Sequence, residues 1–129
     1  MITNIRKYIN SIFSVKLGDI IYDGDPKNVV RPSYKIVCGE NDMIKTCKLF
    51  YINDMVFDNV KNFTGNIYKI EDIKIEDIKH MLKILINDNS IDRIKLFGNV
   101  IDIWIKRYPI VKEFVENIIT EIDSDKYNL

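Results

Sequence analysis

The chain has 129 residues, 47% of them hydrophobic and 29% charged, with 19 basic and 19 acidic side chains in balance. That length fits one domain with a core large enough to need no covalent staples. The balance excludes the one-signed field that would draw in nucleic acid or an anionic membrane, and no segment is long and apolar enough to span a bilayer.

From the amino terminus, Ile5, Tyr8, Ile9, Ile12 and Phe13 fall at helical spacing. Asn4, Arg6, Lys7 and Asn10 occupy the other positions, so residues 1–14 are predicted to hold an amphipathic helix. The charges interrupt what a signal peptide would keep apolar, so the segment reads as part of a mature cytoplasmic or nuclear protein. A short apolar run, Asp19-Ile20-Ile21-Tyr22, then meets DGDPKN and Val29-Val30. Asp-Gly followed by Asp-Pro is turn chemistry, predicting a hairpin of two short strands that Pro32 ends.

Tyr34 to Cys38 reads equally as a strand or as a helical turn closed by Gly39. Asn41-Asp42 is predicted to cap a short helix through Met43, Ile44 and Cys47, and Asn53-Asp54 another through Met55, Val56, Phe57 and Val60. The two cysteines, Cys38 and Cys47, belong to no CxxC and read as reduced, buried thiols.

The stretch IYKIEDIKIEDIKHMLKIL contains IEDIK twice. As one helix its apolar residues leave a single stripe between Ile73 and Ile75. As two elements it resolves into a strand over 66–70, a turn at Glu71-Asp72, and a helix with Ile75, Ile78, Leu82, Leu85 and Ile86 on one face. Glu76 and Asp77 suit the positive start of that helix. Two more helices follow. One carries Ile94, Phe97, Val100, Ile101, Trp104 and Ile105; the other starts after Tyr108-Pro109 and carries Val111, Phe114, Val115, Ile118, Ile119 and Ile122. Residues 123–129 are expected to fray. The chain contains no alanine and no glutamine, while Ile, Lys, Asn and Asp abound. Helix physics gives no reason to avoid Ala, and AT-rich coding, as in large DNA viruses, gives one.

This order of elements resembles the BTB/POZ fold, with its compact relatives elongin C and the SCF-ligase adaptor. YDGDPKNVV resembles the family's first hairpin, SYKIVCGENDMIKTC the helical segment after it, IYKIEDIKIEDIKHMLKIL its strand, turn and helix, and DRIKLFGNVIDIWIKRYPIVKEFVENII its closing helical hairpin. The resemblance covers residues 15–122. It implies an α+β domain with a small three-stranded sheet flanked by five to six helices. It also implies an interaction module that is not an enzyme, binding itself or the amino-terminal domain of a cullin as a ubiquitin-ligase adaptor or decoy. A dimer seam would use Ile5, Tyr8, Ile9, Ile12 and Phe13. A partner surface would use Met55, Phe57 and Phe63 together with Tyr108 and Lys112. The alternative is a small monomeric inhibitor or immunity protein that binds one protein target.

The residues themselves give no catalytic, metal or cofactor signature, and no small-molecule substrate is expected. His80 is the only histidine and stands on the polar side of its helix, too few ligands for a zinc site. Asp23 and Asp25 resemble the start of a calcium loop but lack its closing Glu. Glu71-Asp72 and Glu76-Asp77 sit where carboxylates cap backbone N–H groups.

Overall fold

The computed structural model of the chain describes residues 9–11, 15–30, 32–41 and 46–127. Seven strands come first among them: β1 (Ile9–Ser11), β2 (Ile20–Tyr22), β3 (Lys35–Asn41), β4 (Thr46–Tyr51), β5 (Val56–Val60), β6 (Asn62–Thr64) and β7 (Asn66–Tyr68). Three α-helices follow among the described residues: α1 (Ile75–Asn87), α2 (Ile91–Arg107) and α3 (Ile110–Tyr127). Strands β2 to β5 pair in succession, β7 joins the free side of β2, and every neighbour is antiparallel, giving the order β5-β4-β3-β2-β7. A separate ribbon pairs β1 with β6, with Asn10 opposite Phe63.

Both faces of the five-stranded sheet are covered. Ile20, Ile36, Cys38, Phe50 and Ile52 meet Ile78, Met81, Leu82, Leu85, Phe97, Val100 and Trp104 of the helices in one core. On the other face Ile21, Val37, Cys47 and Leu49 pack with Val15 and Phe63 in a second, smaller one. Burial on both sides fills odd and even strand positions alike with apolar residues, which erases the alternation by which a strand is read. At Cys38 the register slips, with Val37 opposite Leu49 but Gly39 opposite Lys48, so the strand bulges there.

The helices fasten to the sheet at both ends of α2. Near its start, the Arg93 guanidinium lies 5.4 Å from the Phe57 ring centroid and 3.1 Å from Asp88 Oδ2. Phe97 meets Phe50 edge-on at 4.8 Å. At its far end Trp104 Nε1 donates to the Gly18 carbonyl at 2.7 Å, and Arg107 pairs with Asp19 Oδ1 at 3.1 Å. Gly18 has φ +88°, and a Cβ there would stand 3.0 Å from Ile103 Cγ2. Helix α3 runs alongside α1 in the same direction, with Lys79 over the Phe114 ring and Lys83 facing Glu121.

This architecture corrects the three-stranded sheet with five to six helices. Five strands form the sheet and three α-helices are present among the described residues. The short helix expected from Asn53-Asp54 is absent, since Val56, Phe57 and Val60 lie in β5. Of the one expected from Asn41-Asp42, Asn41 lies in β3 and Cys47 in β4, while Met43 and Ile44 lie outside the described residues. Around Asn53 and Asp54 the chain turns instead, with the Met55 N–H bonded to the Tyr51 carbonyl and Met55 at φ 57°. The hairpin partner of β2 is not Val29-Val30 but β3; Asp25 caps a 3-10 turn, Pro26–Asn28, and the valines stay unpaired. Within the helix expected over residues 1–14, Ile9, Asn10 and Ser11 form strand β1 instead, so Ile9 does not belong to a helical seam. Ile5, Tyr8, Ile12 and Phe13 lie outside the described residues. The strand, turn and helix of the repeated IEDIK stretch follow in the expected order, but β7 ends at Tyr68 and Ile70 opens a 3-10 turn, Ile70–Asp72, before α1 starts at Ile75.

Gly65, which links β6 to β7, has φ +117°, and a Cβ there would come within 2.9 Å of the Tyr22 carbonyl oxygen. Backbone cannot move aside as a side-chain tip can. Gly65→Ala is expected to cost roughly 1–3 kcal/mol from the conformation alone. A urea midpoint equal to that of the native chain would show that this link relaxes freely.

Candidate interaction surface

Polar contacts order the loop between β2 and β3, some within it and some from the rest of the fold. Asp25 accepts from the Lys27 N–H at 3.0 Å and from Asn28 Nδ2 at 3.1 Å. The Tyr68 hydroxyl donates to the Gly24 carbonyl at 2.6 Å, and Lys74 Nζ donates to the Val29 carbonyl at 2.8 Å. Beneath the loop, the Tyr34 hydroxyl donates to Asp77 Oδ2 at 2.9 Å. Burial and the Asp77 carboxylate together push the Tyr34 hydroxyl well above its ordinary range. Pro26 and Pro32 remain buried.

The result is a fixed ledge whose apolar side chains face water. Val29 is 40% exposed, Val30 89%, and Ile75, at the start of α1 beside Lys74, 50%. Chain entropy does not blur the site, because the contacts that order the loop are already made within the fold. Val30 also borders a groove of about 500 Å³ along α1, lined by Lys74, Glu76, Asp77, Lys79, His80 and Lys83. Asp77 is engaged internally by Tyr34 and by Lys74, whose Nζ stands 3.9 Å away. The groove therefore presents an apolar lip with a mainly basic wall.

The partner residues expected from sequence do not form one surface. Met55 and Phe57 share the β4–β5 hairpin, where Phe57 packs 5.0 Å from Phe50 and 5.8 Å from Phe97. Phe63 is buried on the opposite face of the sheet. Tyr108 follows the end of α2 and Lys112 lies in the first turn of α3, exposed. At 1.5 Å per residue, Tyr108 is about 22 Å along the α2 axis from Arg93, which covers Phe57. The sequence reading missed Val29, Val30 and Ile75 as surface residues. Its available signal was the pair of prolines around Val29-Val30, which leaves two branched apolar residues without room for a paired strand.

Among the described residues no group of His, Cys, Asp and Glu could hold a metal ion, and no helix is long and apolar enough to cross a membrane. The chain matches no protein-family model, no curated protein and no solved structure.

Proposed function

We propose that this chain is a protein-interaction module that docks through the Val29–Val30 ledge and the start of α1. One observation carries the reading: aliphatic side chains exposed to water on a loop that the fold itself holds rigid. An apolar lip bordered by polar residues is the usual mark of a docking surface. The lip suits a partner with its own aliphatic residues, and the basic wall suits carboxylates beside them. The first partner to test is a second copy of the chain. The second is the amino-terminal domain of a cullin, the partner that the BTB/POZ resemblance implies.

Size-exclusion with light scattering on the native chain and on a Val30→Asp, Ile75→Asp double variant tests this, each alone and mixed with the cullin domain. The expected result is a native mass near twice 15.2 kDa, or a complex on mixing, either of which the variant loses. Both substitutions lie at exposed positions, so the far-UV circular dichroism should not change. A native chain that runs at its single mass in both solutions would overturn the reading, and so would a variant that associates as the native chain does.

A further inference from the structure

The second face of the sheet holds a pocket that the proposed docking surface does not touch. It has a volume of about 340 Å³ and lies where β6 crosses over strands β3 to β5. Its floor is Leu49 and Phe63, both buried, with half-buried Val60 beside them. Its rim carries Lys35 and Tyr51, with exposed Thr64 on β6 at the mouth.

The charges on this rim are unevenly satisfied. The Tyr51 hydroxyl donates to Asp58, and burial together with that carboxylate raises its pKa, so the phenol stays neutral. Lys35 is different. Its Nζ lies 5.3 Å from the centroid of the Tyr51 ring, and it forms an ion pair with no carboxylate among the described residues. An ammonium group over an aromatic face, beside an apolar floor, lacks an anion of its own. Asp58, at the far end of the tyrosine, is already engaged by its hydroxyl.

We propose that this pocket binds a medium-chain aliphatic carboxylate. The alkyl chain would lie on Leu49, Val60 and Phe63, and the carboxylate would pair with Lys35 Nζ at the rim. The volume falls within the lower part of the range for small-molecule sites. At the share of space a water molecule takes in the liquid, it holds about eleven such units, enough for a chain of eight to ten heavy atoms. A neutral alcohol of the same length would keep the apolar contacts and lose the ion pair.

Isothermal titration calorimetry with octanoate, and with octanol as the uncharged control, tests this on the full chain. Octanoate should bind saturably and at least about tenfold more tightly than octanol. Lys35→Met, which keeps the stem over Tyr51 and removes the charge, should abolish that preference. Thr64→Phe, a substitution at an exposed position that narrows the mouth, should weaken both ligands. The absence of saturable heat with octanoate at millimolar concentration overturns the proposal. Equal octanoate affinity in native chain and Lys35→Met also overturns it. Should Lys35→Met fail to fold by circular dichroism, an undiminished affinity in Thr64→Phe does the same.

Discussion

Trp104→Ala is expected to lower the free energy of unfolding by about 3–5 kcal/mol. The indole is fully buried between α2 and the sheet, and its N–H is bonded to the Gly18 carbonyl. Removing it opens a cavity in the main core and strips a buried carbonyl of its donor. It also frees the turn at Gly18, where Ile103 and the indole stand so close that a Cβ would crowd them. Domains of this size typically have about 5–15 kcal/mol in total, so the variant would sit close to its unfolding threshold. Trp104→Phe restores most of the volume but not the donor and should cost roughly 1–3 kcal/mol. Because the chain has one tryptophan, the loss has to be followed by circular dichroism in urea rather than by indole fluorescence. A decrease below about 1 kcal/mol for Trp104→Ala would mean that the sheet and α2 hold together without this contact.

The second large effect is expected in alkali. Burial and Asp77 raise the Tyr34 hydroxyl above its ordinary 10.0, and burial and Asp58 raise Tyr51. Burial pushes the Cys38 thiol from 9.0 up to about 12. In each case the folded chain keeps a proton that the unfolded chain releases. The stability these groups confer is complete below their unfolded values and is lost as the pH rises toward the folded ones. Each such group subtracts about 1.4 kcal/mol per pH unit within that window. The fold should therefore weaken steeply above pH 10, starting near pH 9 with Cys38. Tyr34→Phe separates one contribution. At pH 8 it should be less stable than the native chain by roughly 1–3 kcal/mol, because Asp77 loses its buried donor. That gap should close as the pH passes 10, since the variant has no proton to lose there. Urea midpoints at pH 8 and pH 11 check it. A gap of equal size at both would show that Tyr34 ionises as easily folded as unfolded.

The helical half of the chain was legible because its faces are one-sided. Ile78, Leu82 and Leu85 on α1 and Val111, Phe114 and Ile118 on α3 recur at three and four, and each set is buried where the spacing puts it. The strand half was legible only at β2 and β7. In β4, Cys47 and Leu49 face one core and Phe50 the other, so no two-residue period survives. Strand β5 carries Asp58 and Asn59 between Phe57 and Val60, and after Asn53-Asp54 that pattern reads as a short capped helix rather than as an edge strand. Asn53 and Asp54 before β5 act in a turn here, where the same local hydrogen bonding would equally start a helix. The ledge was hidden for a related reason. Val29 and Val30 have the composition of a strand, and the contacts of Tyr68 with Gly24 and of Lys74 with Val29 that fix their loop come from distant parts of the chain.

The bonds that join Gly18 to Trp104 and Asp19 to Arg107 span 86 and 88 residues. The sheet, by contrast, is complete once β7 ends at Tyr68, 39 positions before Arg107. During synthesis the strands can therefore pair while one face of the sheet, with Ile20, Ile36, Phe50 and Ile52, has no helix to cover it. At roughly 5–20 residues per second that interval lasts about 2–8 s. Over those seconds a nascent chain carries a bare apolar sheet, and its yield in the cell should depend on how quickly a chaperone or its own next helix reaches that face.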